Sequence, residues 1–147
     1  MASDTRTFEQ TIFISAPVAV VDAWITERER MAQWLNPLLR CEPVGVWSTA
    51  VGGRFRFCLA LPGFQPSLDC VVTERQVGVI QWTFTGFFAG TDRWACTSMG
   101  DQTRLVNTFT FRIPNPLVAW GFDLVAAGLT RADMQAQLRR LKRCCEG

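Results

Sequence analysis

Thr103-Arg104-Leu105-Val106-Asn107-Thr108-Phe109-Thr110-Phe111 alternates apolar and polar side chains, and soon after it the chain changes period. Past Asn115-Pro116, the positions Trp120, Leu124, Ala127, Arg131, Met134, Leu138, Leu141 and Cys145 recur at steps of three and four. Period two builds a half-buried strand, whereas steps of three and four build one face of a helix. Asn115 as cap and Pro116 as first helical residue mark a helix start. Gly121 and Gly128 each weaken that helix by about 1 kcal/mol relative to Ala. Thr130-Arg131-Ala132-Asp133 is a second start signal, so a kink near Gly128 is expected.

Upstream, the same alternation recurs with turns between. Phe8 to Ile14 opens the chain as a strand. Ser15-Ala16-Pro17 ends it, and Val18, Val21 and Trp24 then repeat at helical spacing. Thr26-Glu27-Arg28-Glu29 reads as a capping box starting a second short helix with Met31 and Trp34. Asn36-Pro37 stops that helix. Arg40 to Trp47 is expected as a strand, and Gly52-Gly53 as a turn. In Arg54 to Leu61 the residues Phe55, Phe57, Leu59 and Leu61 share a face, with Arg54 and Arg56 towards water. Leu68, Cys70 and Val72 follow in a strand ending near Arg75. Ile80, Trp82 and Phe84 alternate with Gln81, Thr83 and Thr85, and Thr91 to Ser98 forms a hairpin with the last strand across Gly100-Asp101. The expected fold is therefore α+β: a curved antiparallel sheet of about seven strands, two short helices after strand one, and a long C-terminal helix over the concave face. One helix is a poor lid for so large a sheet, which leaves a space between them.

Composition sets limits. A chain of 147 residues is read as one domain, 1–147, and its 48% hydrophobic content supplies a core. Charged residues are 19%, below the usual quarter, so the 6 Trp and 11 Phe imply apolar surface beyond a minimal core. A net charge of +2 argues against nucleic acid as a partner. The absence of His and Tyr excludes Ser-His-Asp and Cys-His catalysis and histidine metal sites. Any acid or base must be a carboxylate, Cys, or Lys142, the only lysine. Six cysteines without a CxxC pair argue against zinc, and no metal or cofactor is expected. The N-terminus lacks a signal-peptide core and no run spans a membrane, so the chain is expected in the cytoplasm with reduced thiols. Cys144-Cys145 is read as a frayed helix end, with a redox role as the alternative. A homodimer is left open.

The order of elements resembles the helix-grip fold of the START-like superfamily, the polyketide cyclase/dehydrase and lipid-transport group. The resemblance rests on Phe8-x-x-x-Ile12-x-Ile14-x-Ala16-Pro17, on Val20-Val21-x-Ala23-Trp24 and on Trp34. Thr103-Arg104-Leu105 and Met134-x-x-x-Leu138-x-x-Leu141-Lys142 look like the polyketide cyclase branch. Gly52-Gly53-x-Phe55-x-Phe57 looks like the branch named after a chaperone-ATPase activator. The resemblance implies a sheet wrapped around the long helix, with a cavity open at one end that takes lipids, sterols, polyketides or plant hormones. These marks are mostly packing positions and specify fold more than function.

The expected function is binding or transport of a small, mainly apolar ligand. The alternatives are a cofactor-independent polyketide cyclase or dehydratase and a chaperone-activator-like interaction protein. Phe57, Trp82, Phe84, Trp94 and Phe109 fall on the concave face, as an aromatic pocket or as an ordinary filled core. Trp120 and Leu124 face them from the long helix. Asn107 is the polar exception in its strand and either orients a ligand or bonds to the backbone. Arg131 either meets a ligand carboxylate at the pocket mouth or turns out towards Asp133 or a sheet carboxylate. Among carboxylates near the apolar elements, Asp69 is expected in solvent. Glu74 shares the phase of Cys70 and Val72, Asp92 that of Trp94, and Asp123 interrupts the apolar start of the helix. Arg139 to Arg143 suits a helix C-terminus. Gly86-Phe87-Phe88-Ala89-Gly90 is an apolar hairpin tip that gates the pocket or packs on the short helices.

Overall fold

The computed structural model describes residues 5–59, 65–86, 88–115 and 127–147, with 127–130 by backbone alone. Strand β1 (Arg6–Ile14) leads into helices α1 (Val18–Thr26) and α2 (Arg28–Trp34). Strands β2 (Leu39–Pro43), β3 (Arg54–Leu59), β4 (Ser67–Gln76), β5 (Val79–Gly86), β6 (Ala89–Met99) and β7 (Gln102–Arg112) follow, then helix α3 (Ala127–Glu146). The seven strands form one antiparallel sheet in the order β1-β7-β6-β5-β4-β3-β2. β1 and β2 are thus the two edges, and the α1–α2 segment carries the chain from one to the other. α1 touches β6 and β7, α2 touches β2, and α3 packs on β1, α1 and α2. This is the α+β helix-grip arrangement.

Alternation works as expected because only one face of the sheet is covered. Phe55, Cys70, Phe84 and Phe111 lie in one cross-strand row and are buried, while Arg56 and Asp69 pair on the outer face, 2.7 Å apart. The next row is Val72, Trp82, Asp92, Phe109 and Phe8. After it come Ile80, Trp94, Asn107 and Gln10.

Several local expectations are corrected. β2 ends at Pro43 rather than running to Trp47, because Gly45 takes φ +80° and turns the chain. Thr26-Glu27-Arg28-Glu29 forms no capping box. Thr26 ends α1, and its hydroxyl donates to the Asp22 carbonyl at 2.9 Å. Glu74 leaves the phase of Cys70 and Val72 because a β-bulge lies between Val72 and Glu74. The extra residue turns Glu74 to the outer face, where it pairs with Arg93. The end of α3 is not frayed: the Ser15 N–H donates to Glu146 at 2.8 Å and Lys142 donates to the Phe13 carbonyl at 2.7 Å. The helix start at Asn115-Pro116, with Trp120, Asp123 and Leu124, lies outside the described residues apart from Asn115 itself.

Two polar clamps hold the layers together. Asp22 on α1 receives both guanidinium nitrogens of Arg75, at 2.7 and 2.9 Å, and the Gly78 N–H at 2.9 Å. Gly78 is the turn between β4 and β5 at φ +89°, and a Cβ there would lie 2.9 Å from the Val18 side chain. Thr103, fully buried, donates its hydroxyl to the Ala16 carbonyl at 2.7 Å and ties β7 to the corner after β1.

Candidate ligand site

The described part of the concave face is filled largely by rings. Trp82, Phe84 and Trp94 are buried. Phe84 stacks on Phe109 with centroids 5.2 Å apart and planes within 6°. Trp94 meets Trp34 of α2 at 5.3 Å, and Trp82 meets Phe55 at 5.3 Å and Phe57 at 6.0 Å. Such pairs are worth about 0.5–1.5 kcal/mol each beyond simple burial. Of the expected pocket residues, Phe57 and Phe109 stay half-buried, whereas the other three are sealed into the packing.

A cleft of about 250 Å³ remains at the end of the sheet where β2, β3 and β4 face α3. Leu39, Phe57, Leu59, Leu68 and Phe88 form its apolar wall, and Asn36 and Asp133 stand on it as polar groups. Asn36 is fixed in the wall by three bonds: its amide donates to Asp133 at 2.7 Å, its side-chain oxygen accepts the Leu38 N–H at 2.8 Å, and its own N–H donates to Gln137 at 3.1 Å. Of the aromatic residues expected to line the pocket, Phe57 is the one among the described residues that lines this cleft. Phe88, expected at the hairpin tip, packs on Phe111 at 5.3 Å and also lines it, whereas Phe87 lies outside the described residues. Asn36 and Asp133 carried no ligand signal in the sequence, since 97 positions separate them and only the docking of α3 joins them.

Arg131 does not reach this cleft. It is exposed, with its guanidinium carbon 4.7 Å from the centre of the Phe8 ring, and its carbonyl accepts from Gln10 at 3.3 Å. A cation on an aromatic face satisfies the charge without a carboxylate. Asn107, 2% exposed, spends both amide hydrogens inside the protein, on Asp92 at 2.7 Å and on the Arg93 carbonyl at 3.1 Å.

Asp92 is the polar group that stands out on this face. Trp82 and Phe109 are its cross-strand neighbours, so its carboxyl sits among rings. Burial pushes that carboxyl up from 3.8 to about 7. The Asn107 amide pulls the other way, as does the nearby Trp94 N–H, yet that indole nitrogen is buried without completing a hydrogen bond to any described residue. Four of the thiols are held in the unreactive protonated form. Burial raises Cys41, Cys96 and Cys145 to about 12, and Cys70 is raised as well, so these stay protonated at neutral pH. All six cysteines are free, and among the described residues no group of three potential ligands is placed to hold a metal. No described helix is long and apolar enough to cross a membrane.

A family profile described as polyketide cyclase / dehydrase and lipid transport matches residues 5–146. The chain belongs to that family. Among solved structures, TTHA0849 from Thermus thermophilus is 17% identical with a TM-score of 0.77, covering 95% of this chain and 97% of that one. CV1439 from Chromobacterium violaceum is 16% identical with a TM-score of 0.75, covering 96% and 97%. An uncharacterised protein from Rhizobium leguminosarum is 16% identical with a TM-score of 0.72, covering 99% and 97%. At these identities the likeness is one of fold. No curated protein matches the chain. Family membership agrees with the resemblance read from Phe8 to Trp34 and from Thr103 to Lys142, and leaves the ligand to be argued from the cleft.

Proposed function

We propose that this chain, as one domain of residues 1–147, binds a small and mainly apolar molecule in the cleft between α3 and β2–β4. The observation that carries this reading is an apolar wall of about 250 Å³ left open beside a densely packed aromatic face. Family membership supports it. The size is just below the usual range of small-molecule pockets, which favours a compact ring system or one end of a longer chain. Burying roughly 250 Å² of ligand surface at ~25 cal/mol per Å² contributes about 6 kcal/mol before association costs. After those costs the affinity is weak, about millimolar at best, unless polar contacts add to it. Organic extraction of the purified protein and mass spectrometry should find a copurified apolar compound. Nile red should bind, and Leu68→Trp, which fills the cleft, should weaken its uptake by about fivefold or more. Uptake unchanged by the filled cleft counts against the site.

A second reading is favoured by Asp92 alone. A carboxyl that titrates near neutrality suits general acid–base work. In a cyclase or dehydratase it would take a proton from the carbon beside a ketone and later return one to the alkoxide or departing hydroxyl. Asp92→Asn would then keep ligand affinity and lower turnover of a poly-β-ketone thioester about 10²–10⁴-fold. Equal turnover in the variant removes this reading.

A further inference from the structure

We propose that the cleft between α3 and β2–β4 selects an organic cation, an apolar body carrying an ammonium group, and that Asp133 makes the selection. This rests on the binding function above and deepens it by naming the charge of the ligand. Asp133 borders the cleft and is half-buried among mostly apolar neighbours. One of its carboxyl oxygens accepts the Asn36 amide at 2.7 Å, and the other receives no hydrogen bond among the described residues. Asn36 is itself held by the Leu38 N–H and by Gln137, one turn beyond Asp133 on α3, so the carboxylate is in place before any ligand arrives. All 15 Lys and Arg side chains belong to described residues, and none of them pairs with Asp133. Arg131, two positions away, lies over the Phe8 ring instead. Arg28 and Arg40 border the neighbouring groove, which shares Asn36 and Leu39 with the cleft, and there they face the Cys41 carbonyl and Glu42.

A carboxylate that no side chain of the protein neutralises sets terms for whatever covers it. A plain hydrocarbon seated on the apolar wall would strip water from the charge and return nothing. A hydroxyl would return one hydrogen bond and leave the charge unbalanced. An ammonium donates to the open oxygen and balances the charge in the same contact. A ligand carboxylate would meet a like charge with no cation to bridge the two. A metal ion needs several ligands, and among the described residues no group of three is placed to hold one. The layout also suits a ligand with two unlike ends. Leu39, Phe57, Leu59 and Leu68 supply an apolar wall from the sheet, whereas the charge stands on the facing helix. The apolar body would lie on the strands and the ammonium would turn towards α3.

The test is NMR titration of the full chain at neutral pH with 2-naphthylmethylamine, 2-naphthylmethanol and 2-naphthoate, which share one apolar body and differ in charge. The amine should bind about tenfold tighter than the alcohol and shift the side-chain amide signals of Asn36, and the naphthoate should bind most weakly. In Asp133→Asn, which keeps an acceptor for the Asn36 amide and removes the charge, the amine should fall to the affinity of the alcohol. Salt gives the same answer without a variant, should that one fail to fold: at about 0.5 M NaCl the amine's advantage should shrink to threefold or less. An amine no tighter than the alcohol, a naphthoate as tight as the amine, or an advantage untouched by salt or by Asp133→Asn overturns the charge selection. Each of those results leaves the apolar site standing as long as the alcohol binds and Leu68→Trp weakens it. Binding of none of the three overturns the site and this inference with it.

Discussion

Asp92 shows how a single residue couples folding to pH. Its carboxyl rises from 3.8 in the open chain to about 7 in the fold, mainly through burial. The folded state therefore holds the proton more tightly. Its contribution is complete below about pH 4, is lost as pH rises towards 7, and is gone above that. The ceiling on the loss is roughly 4 kcal/mol. Asp92→Asn keeps an oxygen for Asn107 and cannot ionise, so its urea midpoint should change much less than that of the parent between pH 5 and pH 8. Parallel slopes for the two proteins would refute the buried-acid account. Alternation with Trp94 already placed Asp92 on the inner face in the sequence. Its bond with Asn107 was not legible there, because it depends on the register of β6 against β7.

At the scale of elements, α3 is held along its length by polar contacts that its apolar stripe did not announce. Asp133 and Gln137 bind Asn36, the Arg140 guanidinium donates to the Trp34 carbonyl at 2.9 Å, and Glu146 receives the Ser15 N–H. Lys142 beside it, and then that N–H, hold the Glu146 carboxyl below the usual carboxylate range. A lowered carboxyl stabilises above its ordinary titration range, and its contribution is lost as pH falls through the folded value. The Ser15 amide signal should therefore titrate with a midpoint below that of an ordinary glutamate. In Glu146→Gln the same amide should exchange with solvent several-fold faster, as expected for easier local opening. An amide that exchanges equally fast in both proteins would show that the contact does not anchor the helix. Elements read from period alone were sound wherever one face was covered, as in β3, β5 and β7. Period failed at Glu74, where a bulge reset the phase, and the capping motif failed at Thr26, whose hydroxyl turns back to its own helix.

For the whole molecule, the question is what fastens the helical layer to the sheet. Asp22 and Arg75 join α1 to the β4–β5 hairpin as a forked pair, with side chains 12% and 20% exposed. Arg75→Ala would leave Asp22 mostly buried with only the Gly78 N–H and should cost about 2–3 kcal/mol in denaturant unfolding. A loss under about 0.5 kcal/mol, the size of an exposed pair, would rule out a fastening role. The class of fold was legible in the chain, because hydrophobic period reports which side of each segment leaves water, and that is a local property. Composition also removed histidine chemistry outright. Which rings close on one another, that Arg131 covers Phe8 instead of entering the cleft, and that Asn36 meets Asp133 came only with the folded chain. Those outcomes depend on register and on how α3 docks, and long-range packing leaves no periodic trace in the chain.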